Sequence, residues 1–177
     1  MRLDAGGIGK GYALDQALAI IESAGIRSAL VEGGGDLVVS DPPPGKEGWH
    51  IQLDWGPESS PSLPLVISNA SVATSGDLYQ VLKLGLEAYS HILDPRTGWA
   101  LVGGRRATVV APSGSLADAY ASALCVAGPA GISEFIDGLP GVEAMVLVID
   151  TSNARTVTCG SEGWVMMMGQ PIEARRP

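Results

Sequence analysis

Aromatic residues are scarce in this chain: one phenylalanine, four tryptophans and four tyrosines among 177 residues. The core must therefore be built from Ala, Val, Leu and Ile. Cysteine is nearly missing as well. Cys125 and Cys159 lie far apart without metal-ligand spacing, so they read as two buried thiols rather than a zinc site or a disulfide framework. Positive charge is also short: 11 Lys and Arg stand against 19 Asp and Glu, a net charge of −8. A chain of that sign repels nucleic acid, and no Lys/Arg stripe offsets it, which excludes a nucleic-acid role. No apolar run approaches the roughly 18 residues of a membrane span. The N-terminus lacks a charged-then-apolar leader, so as written the chain reads as soluble and unexported, with its compartment undetermined.

What is present points to a globular fold. Apolar residues make up 46% and charged residues 17%, proportions that favour burial over disorder. The length predicts a single domain over residues 1–177. With 24 glycines and 12 prolines, many turns and several close backbone approaches are expected.

Taken in order, Ala5 to Gly11 is a glycine-rich segment, and Tyr12, Leu14, Ala17, Leu18 and Ile21 then follow helical spacing. Gly25 is the expected C-cap. Unshielded N–H groups before a helix suit an anion, with Lys10 adding charge; a tight turn with a solvated lysine explains the same residues. Short strands are expected at Ser28–Glu32 and Leu37–Ser40 around Gly33-Gly34-Gly35-Asp36, at Trp49–Leu53 and at Leu65–Ser68. Thr74, Ser75 and Gly76 are three small donors in succession that suit phosphate oxygens, or else form a Ser/Thr turn with Asp77 as a cap. Tyr89 to Gly98 reads as a strand running into an Asp94-Pro95-Arg96-Thr97-Gly98 turn, with His91 and Asp94 at its end. Ala107–Ala111 is a further strand, Ala130–Gly138 a second helical segment, and Val142–Ile149 a strand that returns antiparallel through Thr156–Cys159.

The helix expected at 115–127 places Asp118 and Ser122 at i and i+4, so their oxygens project from one face a turn apart. Two oxygens at that spacing suit a hard cation such as Mg²⁺, which completes its shell with water and substrate phosphate. Ser115-x-x-Asp118 also resembles a capping box with Asp in place of Glu, in which Asp118 only satisfies a backbone N–H. The two readings stand side by side. With helices at 12–24 and 115–127 packed on a mostly antiparallel sheet, the fold class is α+β.

Four segments in order resemble the motifs of one family, the ApbE-type FAD:protein FMN transferases. Asp4-Ala5-Gly6-Gly7-Ile8-Gly9-Lys10-Gly11-Tyr12-Ala13 is similar to its D-x-GG-I-A-KG-Y-A segment, and Ala73-Thr74-Ser75-Gly76-Asp77 to its STSGD. Tyr89 to Gly98 is similar to its Y-x-HI-x-DP-x-TG, and Ala117 to Leu124 to its ADA-x-A-T-A. The resemblance implies an ApbE-like, T-fold-related architecture lacking the family's N-terminal portion, since Met1 falls just before the first motif. It implies a Mg²⁺-dependent enzyme that cleaves FAD, attaches FMN through a phosphoester to a Thr or Ser of an acceptor flavoprotein, and releases AMP. The alternatives it carries are hydrolysis of FAD to FMN and AMP, or a non-catalytic flavin-binding remnant. A separate chain or a homodimer would complete the FAD pocket. By position, the metal ligands would be Asp118, Ser122 in place of the commoner Thr, and the main-chain carbonyl of Gly9 where Ala is usual. His91, acting with Asp118 in catalysis, matches the histidine that helps activate the acceptor hydroxyl. Gly6, Gly7, Lys10, Thr74, Ser75, Gly76 and Asp77 would line the FAD site.

Overall fold

A computed structural model describes residues 1, 3–54, 62–76, 81–84, 87–150 and 155–161. Helix α1 (Gly9–Ser23) is followed by strands β1 (Leu30–Gly33), β2 (Asp36–Val39), β3 (Trp49–Leu53), β4 (Leu63–Ile67) and β5 (Ala70–Gly76). Next come β6 (Val81–Leu84), β7 (Glu87–Leu93), β8 (Ala100–Val102) and β9 (Gly104–Ala111). Helix α2 (Gly114–Ala127), a π-helical turn (Ile132–Ile136), β10 (Glu143–Asp150) and β11 (Arg155–Gly160) complete the described elements. A six-stranded sheet runs β1-β2-β5-β9-β10-β11, antiparallel at each pairing. β3 pairs with β4, and β6-β7-β8 form a small separate sheet. The fold is α+β with antiparallel sheets, as the sequence predicts.

The alternation of β9 explains the layering. Ala107, Val109 and Ala111 point to one face and meet Ala117, Ala121 and Leu124 of α2, with Ile132 and Ile136 behind them. Small side chains on both partners let helix and sheet approach closely, and burying Leu124 completely contributes about 2 kcal/mol. On the opposite face Val110 joins Leu37, Val39, Val72 and Met145 under Leu53, Leu65 and Ile67 of the β3–β4 hairpin. The scarcity of aromatics is thus met by two thin aliphatic layers.

Gly34 and Gly35 form the β1–β2 turn with φ of 62° and 88°, values a side chain would oppose. Gly25 sits past α1 at φ 89° and donates its N–H to Glu22, the expected C-terminal stop. Three expectations are corrected. α1 begins at Gly9 rather than Tyr12, so Gly9 and Gly11 are helical while Gly6 and Gly7 form the turn before it. α2 is capped by Ser113, whose Oγ accepts from the Leu116 N–H at 3.3 Å, so Ser115 and Asp118 do not form the cap. Thr74, Ser75 and Gly76 lie inside β5, paired with Thr108, Ala107 and Arg106, because β9 supplies an unbroken ladder there.

Candidate functional site

The helices cross where neither can carry a side chain. A Cβ on Gly11 would overlap the Gly114 carbonyl oxygen, and a Cβ on Gly114 would lie 2.6 Å from the Gly11 carbonyl oxygen. Glycine costs helix stability in both places, and here it permits backbone contact. That contact lets each helix start be capped by a carboxylate from the other. Asp15 Oδ1 accepts from the Gly114 N–H at 2.6 Å, while its Oδ2 accepts from the Ser115 N–H at 2.9 Å and Ser115 Oγ at 2.6 Å. In return Asp118 Oδ2 accepts from the Gly11 N–H at 3.0 Å. Both carboxylates sit at the positive end of the partner helix dipole.

This exchange leaves two oxygens uncommitted. Asp118 is 1% exposed, yet among the described residues no donor reaches its Oδ1. The Gly11 N–H that would normally serve the Gly7 carbonyl is turned to Asp118, so no donor among the described residues takes that carbonyl either. Ser122 lies one helical turn after Asp118 and against Gly7. Its Oγ shares a hydrogen bond with Ser75 Oγ at 3.0 Å and would stand 3.6 Å from a Cβ on Gly7.

Lys10 and Asp36 complete the floor. Lys10 Nζ is 2.5 Å from Asp36 Oδ2, and Asp36 Oδ1 accepts from the Thr74 N–H at 3.1 Å. Asp36 is 2% exposed. Burial raises its pKa above the ordinary carboxylate value of 3.8, against the lowering bonds from Lys10 and Thr74; the negative charge of Asp118 adds to the rise. Two buried carboxylates, Asp36 and Asp118, with one lysine between sheet and helix, favour a cation more than a second anion.

The residues expected from the sequence therefore divide. Gly7, Lys10, Ser75, Asp118 and Ser122 come together at the start of α1. Gly6 precedes them, its N–H held by Asp4 Oδ1 at 2.7 Å, and Gly9 opens the helix with its N–H on Ala5 O at 2.7 Å. The anion reading counted these amides as open, but Gly6, Gly9 and Gly11 are spent on Asp4, Ala5 and Asp118. Thr74 points to the other face of the sheet, its hydroxyl 3.0 Å from Thr108 Oγ1, because neighbouring strand residues alternate. Gly76 is closely packed: a Cβ there would lie 2.7 Å from Arg105 O. Asp77 lies outside the described residues. His91 is exposed on β7, and its side chain takes part in no hydrogen bond or ion pair among the described residues. The turn after it matches expectation, with Asp94 bonded to the Arg96 N–H at 2.9 Å and its O accepting from Gly98 N–H at 2.7 Å. Sequence reasoning missed Asp15 and the Gly7 carbonyl. Gly11 and Asp15 do share a helix face four residues apart, the one signal that could have paired them.

Among the described residues no group of three or more His, Cys, Asp or Glu could hold a metal ion. The donors at the crossing are a carboxylate, a hydroxyl and a carbonyl, a hard all-oxygen set suited to Mg²⁺ rather than zinc.

The same glycines and acids are covered by a match to the ApbE family model, which spans residues 1–146. The chain belongs to the ApbE family. It is 38% identical over 133 residues to the FAD:protein FMN transferase of Rhodobacter capsulatus, covering 72% of this chain and 24% of that protein. With the FAD:protein FMN transferase of Treponema pallidum the identity is 29% over 161 residues, covering 85% and 44%. The crystal structure of the ApbE protein from Thermotoga maritima superposes with a TM-score of 0.78 at 30% identity, covering 94% of this chain and 53% of that one. The chain thus spans less than half the length of these two curated ApbE relatives and about half of the solved structure.

Proposed function

We propose that this chain carries the metal and phosphate side of a Mg²⁺-dependent FAD:protein FMN transferase. The observation that carries the proposal is the uncommitted pair of oxygens, Asp118 Oδ1 and the Gly7 carbonyl, beside Ser122 at the crossing of α1 and α2. Those three residues would hold Mg²⁺; Gly9, expected as the carbonyl ligand by position, sits one step into the helix, and Gly7 is better placed beside Ser122. Bound there, Mg²⁺ would neutralise charge on the FAD pyrophosphate. The remaining work falls to the chain's own groups. Lys10, tethered by Asp36 and 45% exposed at its side chain, offers its positive charge to the phosphates. Gly6 and Ser75, with Asp77, would border the bound FAD, whereas Thr74 and Gly76, expected there by position, line the cleft on the other face of the sheet. His91 would take the proton of the acceptor Thr or Ser hydroxyl as its oxygen bonds to the FMN phosphorus. The phosphorus–oxygen bond to AMP then breaks, AMP leaves, and FMN remains on the acceptor flavoprotein as a phosphoester. A separate chain or a second copy would supply the remainder of the FAD pocket.

The test is incubation with FAD, Mg²⁺ and an acceptor flavoprotein, with and without the segment that longer relatives carry. Covalent FMN on the acceptor together with AMP is the expected result. AMP with free FMN would replace transfer by FAD pyrophosphatase activity, and FAD binding with no AMP would leave a flavin-binding remnant. Asp118→Asn keeps an acceptor for the Gly11 N–H, so the chain should stay folded while Mg²⁺-dependent turnover is lost; undiminished turnover would remove Asp118 from the metal site.

A further inference from the structure

The face of the six-stranded sheet turned away from α1 and α2 holds a cleft of about 370 Å³ between the sheet and the β3–β4 hairpin. That volume is in the range of small-ligand sites. Leu37, Ile51 and Leu53 form an apolar wall, and Thr74 and Arg106 line the cleft from the sheet. Arg106 Nη1 is buried and has no hydrogen-bond partner among the described residues. A guanidinium nitrogen in that state is costly, and most buried polar groups in folded proteins find a partner. Strand pairing puts Arg106 opposite Gly76, where a Cβ would lie 3.1 Å from Arg106 Cβ, so the missing side chain gives the arginine stem room over the strand. Asp54 lines the same cleft but is exposed, and it forms no ion pair with Arg106.

The geometry points to a second ligand site in this cleft, for a small molecule with an apolar body and a single carboxylate. The carboxylate receives the Arg106 guanidinium and the body lies on Leu37, Ile51 and Leu53. The negative charge of Asp54 at the rim weighs against a dianionic group such as a phosphate monoester. Alternation along β5 places this site on the opposite face from Asp118 and Ser122, so it is independent of the flavin-transfer reading, and neither outcome below bears on that reading.

The test is titration of the full 177-residue chain with benzoate, read by amide NMR at Leu53, Thr74 and Gly76. Saturable shifts are expected, with weaker binding of phenyl phosphate and of neutral benzyl alcohol. Arg106→Gln should weaken benzoate about tenfold or more while leaving the thermal midpoint of the free chain at or above its original value. Arg106→Lys, which keeps stem and charge but loses the fork, provides the same comparison in a second background. Asp54→Asn should narrow the gap between phenyl phosphate and benzoate. Shifts that do not saturate, benzoate affinity unchanged in both Arg106 variants, or phenyl phosphate binding tighter than benzoate in the unsubstituted chain would each overturn the assignment.

Discussion

Two acid–base pairs in this protein look alike on paper and behave in opposite ways. Lys10–Asp36 lies under the helix crossing with a buried carboxylate, whereas Arg96–Asp94 sits in the exposed turn after β7. Burial raises the pKa of Asp36 although a lysine touches it. The Arg96 hydrogen bonds lower that of Asp94 to about 2, with little desolvation to oppose them. Solvent access decides which effect wins. The same contrast separates the regions at large: the crossing is fixed by packed backbone and reciprocal caps, the turn by local bonds within a few residues.

The largest expected difference comes from glycine. Gly11→Ala forces a methyl into the Gly114 carbonyl and should cost about 3 kcal/mol or more, or prevent folding. Gly98→Ala meets nothing within 4 Å and suffers only from φ 72°, so urea denaturation should show a loss of about 1 kcal/mol. Equal losses would dissolve the distinction between the regions. Next in size is Asp118→Ala, which strands the Gly11 N–H and should destabilise by about 2 kcal/mol, with Asp118→Asn recovering most of it. The ion pairs follow. Lys10→Met leaves Asp36 buried without its cation and should cost about 1 to 2 kcal/mol, moderated by the exposure of Lys10. Arg96→Gln should leave the midpoint unchanged, because the Arg96 pair is open to water.

The smallest effects are in pH dependence, and their signs differ. Asp36 has a raised folded pKa, so its favourable contribution is complete below 3.8 and is lost as pH rises through the raised value. Asp94 has a lowered one, so its contribution is present above 3.8 and is lost as pH falls through about 2. Stability curves of Asp36→Asn and Asp94→Asn against the original chain should therefore diverge in opposite directions across the acid range. Parallel curves would show that Asp36 is better solvated than its position implies.

Local signals were sufficient for much of the fold. Period-two alternation in Ala107–Ala111, the paired glycines at 34 and 35 and the Asp94–Gly98 turn act over a few residues, and each was legible in the sequence. The start of α1 was not. Gly9 and Gly11 are poor helix formers, and they are helical because Asp118, over a hundred residues away, caps the segment. The cap of α2 was misassigned for a related reason: Ser113 and Ser115 both qualify locally, and Asp15 claims the Ser115 hydroxyl. Thr74, Ser75 and Gly76 read as converging donors from their succession alone, or else as a Ser/Thr turn; pairing with β9 makes the segment a strand and sends the Thr74 and Ser75 side chains to opposite faces.

By itself the sequence determined the α+β class, the order of elements, the motifs that mark the ApbE family, and the one-turn spacing of Asp118 and Ser122, since each follows from backbone periodicity or from residue identity at fixed intervals. Only the tertiary structure decided that α1 and α2 meet at Gly11 and Gly114, that Asp15 and Asp118 cap one another's helices, and that the Gly7 carbonyl is thereby left open beside Ser122. Those outcomes depend on groups separated by about a hundred residues, whose approach is set by packing against the sheet and is not encoded in any local pattern.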